Sequence, residues 1–124
     1  MTDAHATPHW PVEVRLNKAE RQLSVTFDDG TVFAYPAEFL RVESPSAEVM
    51  GHGAGQRVIV AGRANVGIRD VEAVGNYAIR IVFDDGHDTG IYSWRYLYDI
   101  GKNRDRIWGE YLAALAARGL KRES

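Results

Sequence analysis

Apolar and polar residues alternate with a period of two through Val12–Leu16 and again from Gln22 to Asp28, the signature of strands with one buried face. Asn17–Arg21 between them is largely polar and predicts a turn, so the two strands pair as a hairpin. Asp29-Gly30 reverses the chain into a third strand, Thr31–Tyr35, which Pro36 ends because proline has no N–H to give a ladder. A short helix is predicted over Ala37–Val42. The succession then returns: apolar stretches at Val58–Val60 and Val66–Val74, a turn at Gly75-Asn76, a strand over Tyr77–Phe83, the Asp85-Gly86 reversal and a strand over Thr89–Tyr92. Ser93 is placed to cap a helix running through Ile100, with Gly101 as its stop.

The two halves share more than rhythm. Leu23–Leu40 and Ile79–Leu97 contain the same phrase, Phe-Asp-Asp-Gly, at Phe27–Gly30 and Phe83–Gly86. Each then has a strand ending in tyrosine, Tyr35 or Tyr92, and an aromatic-leucine pair, Phe39-Leu40 or Tyr96-Leu97, at a helix. The second copy has one extra residue after the shared glycine. Neither unit is large enough to be stable alone, so they are predicted to pack as halves of one α+β domain, two related antiparallel β units with short helices and a C-terminal helix. That last helix, Arg104–Arg118, puts Trp108, Tyr111, Leu112 and Leu115 on one apolar stripe and ends at Gly119-Leu120. Gly109 within it costs about 1 kcal/mol relative to alanine and is expected to permit close packing. Residues 1–10 read as a flexible leader, 11–120 as the single domain and 121–124 as a flexible tail.

Between the halves lies Glu43–Gln56, with three glycines, a proline, two serines and no sustained periodicity; it is predicted to be a long loop, the kind of segment that is usually functional or mobile. Its Gly51-x-Gly53-x-Gly55 spacing lacks the Lys-Ser/Thr and the helix that a phosphate-binding loop needs.

Composition narrows the function classes. The 124 residues include no cysteine, which excludes disulfides, thiolate nucleophiles and cysteine-held metal centres built from this chain. The formal charge of -2 comes with acidic and basic residues interspersed, so neither nucleic acid nor an anionic membrane surface has a basic patch to meet. Without a basic-then-apolar start or a spanning-length apolar run, the expected location is the cytoplasm.

Candidate chemistry is sparse. His87 follows the second Asp-Gly turn among Asp84, Asp85 and Asp88, and nearby carboxylates raise an imidazole pKa and can orient it as base or ligand. The expectation here is an ordinary turn histidine at the surface, bonding backbone groups. His52 stands between two glycines, and together with His87 and Glu43 or Glu48 it makes an alternative three-ligand metal set if the loop folds back. Ser44 and Ser46 lie in neither Gly-x-Ser-x-Gly nor Ser-x-x-Lys and are expected to bond local backbone. The pairs Asp28-Asp29 and Asp84-Asp85 are explained by hairpin tips without a two-carboxylate hydrolase.

The run Phe39–His52, together with Val74–Leu97, closely resembles the DUF971 family, also called the gamma-butyrobetaine hydroxylase-like N-terminal domain, in its free-standing bacterial type; the resemblance spans residues 10–102. In larger relatives this domain precedes an iron- and 2-oxoglutarate-dependent oxygenase or is fused to a P-loop ATPase of the iron–sulfur carrier type. Hydroxylase-linked relatives hold a zinc with three cysteines of a Leu-Arg-x-x-Cys-x-Cys-x-x-Cys pattern and the histidine of Asp-Gly-His. On this chain those positions are Ser44, Ser46, Val49 and His87, so the resemblance implies a lost zinc site at which only His87 survives. It does not extend to the oxygenase and implies no catalytic residues. The leading expectation is therefore a non-catalytic accessory or protein-interaction domain with no cofactor and an unidentified protein partner, linked through the resemblance to an oxygenase or iron–sulfur pathway. The alternative is a small metal-binding protein using His87 and His52 with a loop carboxylate. An enzyme with its site between the long loop and the second Asp-Gly turn ranks third.

Overall fold

A computed structural model of the chain describes residues 9–50 and 58–123, apart from the side chains of Ala47 and Glu48. Two three-stranded antiparallel meanders make up the β structure, β1(Pro11–Asn17)-β2(Gln22–Phe27)-β3(Val32–Pro36) and β4(Ile68–Val74)-β5(Ala78–Phe83)-β6(Ile91–Ser93). Each meander leads into a helix, α1 (Ala37–Val42) in the first half and α3 (Trp94–Lys102) in the second; a single helical turn, α2 (Ala47–Met50), lies between the halves, and α4 (Arg104–Ala117) closes the chain. The α+β class and the two related halves follow the sequence pattern.

The repeat goes deeper than the shared phrase. Both outer strands carry an irregularity at the same place, between Pro11 and Glu13 in β1 and between Ile68 and Asp70 in β4. Both tips are three-residue loops: Phe27 donates its N–H to Thr31 and Phe83 to His87, at 2.8 and 2.9 Å. Gly30 and Gly86 take the left-handed φ that such loops require, +86° and +92°. In each half the first helical residue donates its N–H back into the hairpin, Ala37 to Arg21 and Trp94 to Tyr77.

Neither half encloses a core of its own. Leu23, Val25, Phe27, Tyr35 and Leu40 from the first half merge with Ile79, Ile81, Phe83, Tyr92 and Leu97 from the second in one buried cluster. The buried tyrosines cross between halves: the Tyr35 hydroxyl donates to the Leu97 carbonyl at 2.6 Å, and the Tyr92 hydroxyl to the Leu40 carbonyl at 2.5 Å. The strand of each half thus terminates on the helix of the other. Burial pushes the phenol pKa of both tyrosines far up, so both remain neutral donors.

Several local expectations change. Val58–Val60 forms no strand; Ile59 and Val60 instead pack against a second small cluster of Val42, Tyr111 and Leu115, with Val60 offering its carbonyl to the Tyr111 hydroxyl. Gly101 does not stop α3, which continues to Lys102; a Cβ at Gly101 would stand 2.6 Å from the Phe33 ring, so the glycine is there for close helix-to-strand packing. At Gly109 the reverse holds, because a Cβ would meet nothing within 4 Å and no close approach explains it. Leu112 is exposed, while Ile107 joins Trp108 against the core. Ser93 does cap α3, accepting the Tyr96 N–H at 3.0 Å.

The segment expected to be a flexible tail is anchored through Arg122. Lys121 and Arg122 accept backbone N–H groups of Gly62 and Ala64, and the Arg122 guanidinium grips the buried Glu38 carboxylate with two bonds, 2.7 and 2.9 Å, while lying over the Trp108 ring. A forked guanidinium–carboxylate pair of this kind fixes direction as well as charge. Among the described residues, no helix is long and apolar enough to cross a membrane.

Because the two crossed tyrosine bonds occupy equivalent places, Tyr35→Phe and Tyr92→Phe are expected to destabilise to a similar extent, each by about 0.5–1.5 kcal/mol, since each loses a buried hydroxyl-to-carbonyl hydrogen bond. Urea unfolding of the two variants measures this, and a cost confined to one of them would show that the halves are not locked reciprocally.

Candidate functional site

The extra residue of the second copy reshapes the chain after Gly86. In the first half β3 begins at Val32, directly after the tip; in the second, residues 87–90 pair with no strand and β6 starts only at Ile91. Released from the ladder, His87 turns inward to face the segment that follows α1. Its Nε2 lies 2.9 Å from the Ser44 Oγ, with both residues buried. The expected surface-turn histidine is therefore corrected: the residue is 6% exposed and its ring lies tilted against Phe83, 6.0 Å between centroids.

Ser44 and Ser46 are tied together by more than local backbone. Ser44 Oγ also accepts the Ser46 N–H at 3.3 Å, and Ser46 Oγ lies 2.7 Å from Thr89 Oγ1. Val49, only 1% exposed, is tied to the same segment by its backbone, its N–H bonding the Ser46 carbonyl at 3.0 Å. The backbone comes close too, since a Cβ on Gly90 would collide with Ser44 Oγ. Thus the fold brings Ser44, Ser46, His87 and Thr89 together, with Val49 buried on the turn that follows Ser46. The donor set does not fit zinc: it has one imidazole nitrogen, two neutral hydroxyls already held by other groups and a valine with no donor atom.

Asp85 sets the orientation of this corner. Its Oδ1 accepts the backbone N–H of His87 at 3.0 Å, while Oδ2 receives Arg41 Nε at 2.8 Å and has Arg63 Nε at the same distance, though not aligned as a hydrogen bond. Burial works to raise the carboxyl pKa, but the His87 N–H and the two guanidinium groups outweigh it and hold Asp85 below the ordinary 3.8. Both Asp85 oxygens are spent on these partners, so it is a clamp between α1 and the second hairpin. Asp84 belongs to the turn as well, accepting the Gly67 N–H at 2.9 Å.

Of the alternative metal set, Glu43 is buried at the end of α1 and offers its backbone carbonyl to the Tyr96 hydroxyl. His52 and the Glu48 side chain lie outside the described residues, as does Gly51–Gly55. Sequence reasoning missed Arg41, Arg63, Thr89 and Gly90. One signal was available for two of them: the single-residue insertion marks where the second copy departs from a plain hairpin, and Thr89 and Gly90 lie within that departure.

Removing the buried His87 ring takes away the imidazole partner of the Ser44 hydroxyl and leaves a void, so His87→Ala is expected to cost about 1–3 kcal/mol of stability, well beyond the effect of a surface position; chemical denaturation measures it. The lowered Asp85 pKa also has a sign. A carboxyl whose folded pKa lies below its unfolded value adds stability that is fully present above the unfolded value and is lost as pH falls through the folded one. The Asp85 carboxyl resonance should accordingly titrate below 3.8, and Arg41→Gln should move its midpoint upward; an unmoved midpoint would show that the clamp does not set it.

The family model for "Gamma-butyrobetaine hydroxylase-like, N-terminal" matches residues 14–98. Two proteins with NMR solution structures are similar over nearly the whole chain. One is 48% identical, with a TM-score of 0.81, covering 98% of this chain and 90% of its own; the other is 44% identical, with the same TM-score, covering 93% and 90%. A crystal structure from Acidithiobacillus ferrooxidans, of a DUF971 protein of unknown function, is 36% identical with a TM-score of 0.62, covering 73% of this chain and 91% of its own. No curated protein matches. Match and fold agree with the repeat architecture, and the chain belongs to the gamma-butyrobetaine hydroxylase-like N-terminal family, DUF971.

Proposed function

We propose that this chain is a non-catalytic accessory domain of the cytoplasm that works by binding another protein, and that the corner around His87 is a hydrogen-bonded junction standing where relatives in the family hold a metal. The observation that carries this reading is the mutual satisfaction of buried groups at that corner. Ser44, Ser46, His87 and Thr89 bond one another, and none of the described cavities is lined by Ser44, Ser46 or His87. A catalytic serine–histidine pair needs an exposed nucleophile and an orienting carboxylate. Here Ser44 is 0% exposed and Asp85 is committed to backbone and arginine.

The adjoining surface has the character of a binding face. A groove of about 450 Å³ runs beside the junction, lined by Glu43, Met50, Ile59, Tyr96, Ile107 and Tyr111 among others. Apolar lining with a charged rim, here Arg106 and Glu110, suits an amphipathic segment of a partner protein. The junction holds one wall of this groove in place, which links His87 to binding without giving it a chemical role. A link to an oxygenase or iron–sulfur pathway is part of the proposal and rests on family membership alone.

Ala114→Arg, in the lining of the groove and outside both core clusters, is expected to abolish capture of the partner while the protein remains folded. His87→Ala is expected to speed amide exchange across residues 43–50 and to weaken the same capture. Paired affinity capture and hydrogen exchange test both, and a partner retained equally by the two variants would overturn the proposal.

A further inference from the structure

The first hairpin tip holds a second grouping, independent of the His87 junction. We propose that His9, Asp28 and Asp29 form a binding site for a divalent transition-metal ion, of the class that takes one imidazole nitrogen and two carboxylate oxygens. The His9 Nδ1 lies 3.5 Å from Asp29 Oδ2 and 3.9 Å from Asp28 Oδ1, and one ligand atom from each residue falls within 4.8 Å of the others. Metal bonds of about 2.0–2.2 Å in a tetrahedral arrangement put ligand atoms roughly 3.3–3.6 Å apart, so the set needs only a small contraction. Three protein ligands leave a position open for water or a further ligand.

The donors are held in place by groups outside the set. The His9 ring stacks on Tyr98 at 4.0 Å and 15°, which fixes the plane of the imidazole with Nδ1 towards the carboxylates. Asp29 is held through Oδ1 by the Thr31 N–H at 2.9 Å, and its Oδ2 receives the Tyr98 hydroxyl at 2.7 Å, leaving further lone-pair capacity on that oxygen. Asp28 is placed by its own N–H, bonded to the Trp10 carbonyl at 2.8 Å. A tyrosine that orients both an imidazole and a carboxylate is the kind of outer partner that tunes metal sites.

The internal repeat supplies a control within the same molecule. Asp85 is the counterpart of Asp29, and Arg41, which bonds Asp85, is the counterpart of Tyr98, which bonds Asp29. At the second tip, Arg41 and Arg63 neutralise the carboxylate. At the first, the helix offers a neutral phenol instead, and two adjacent carboxylates face one imidazole. Arg95 and Lys102 line the neighbouring cavity with His9, yet no ion pair joins either to Asp28 or Asp29 among the described residues. Negative charge left over at a placed nitrogen–oxygen set is what a divalent cation completes.

Calorimetry of the full chain with zinc chloride tests the proposal, with line broadening by Mn²⁺ in NMR spectra to locate the ion. One saturable site is expected, with broadening centred on residues 28–30 and Tyr98. His9→Gln, at a half-buried position outside the core, and exposed Asp28→Asn, checked for unchanged unfolding, should each weaken binding by more than about tenfold, the low end of what even outer partners are worth. Asp99→Asn, facing the same cavity outside the ligand set, should leave it unchanged. Absence of saturable binding, binding indifferent to His9→Gln, or an equal loss in Asp99→Asn would each overturn the proposal, the last two leaving an adventitious ion only.

Discussion

Each half of this molecule finishes its own strand on the other half's helix, and that exchange constrains everything else. A three-stranded meander has one apolar face and too little area to stabilise itself. Two such faces pressed together bury Phe27 and Phe83, Val25 and Ile81, Leu40 and Leu97 in a common core. The crossed bonds of Tyr35 and Tyr92 then satisfy carbonyls that the merged core would otherwise seal from water. Hydrophobic burial drives the halves together without direction, and the two hydroxyls supply it.

Against this symmetric interior the hairpin tips have diverged. The counterpart of His87 is Thr31, that of Asp85 is Asp29, and that of Arg41 is Tyr98. One inserted residue in the second copy withdraws residues 87–90 from the sheet and lets His87 reach Ser44, while the first copy stays a regular hairpin. Core positions tolerate little change because each volume is shared by both halves. The tips lie outside the shared core, so polar chemistry has room to differ there. Both the buried junction and the exposed grouping of His9 with two aspartates are products of that freedom.

The junction shows how a corner of buried polar groups is held together. The work is divided among hydroxyl–imidazole and hydroxyl–hydroxyl hydrogen bonds and the Asp85 clamp to Arg41. Each bond contributes modestly, but leaving any one partner unmatched in a buried setting is costly, so the group acts as a unit. Arg122 does similar work at the other end of α1, joining the chain's last described residues to Glu38.

Local patterns determined much of this. Period-two alternation, the two Asp-Gly tips, Ser93 as a cap and Gly119 with φ of +64° are effects of a few neighbouring residues, and the repeated phrase marked two equivalent halves. The motif resemblance also pointed to Ser44, Ser46, Val49 and His87 as a group. Tertiary structure alone decided the rest, because it depends on which distant surfaces meet. The burial of His87 needed Ser44 and Ser46 to meet the second tip, the role of Gly101 needed Phe33 against α3, and the anchoring of Arg122 needed Glu38 buried beside Trp108. His9 belonged to an apparent leader until stacking on Tyr98 placed it over Asp28 and Asp29. Periodicity reports which face of an element is apolar; it carries no information on which polar groups, far apart in the chain, share one point in space.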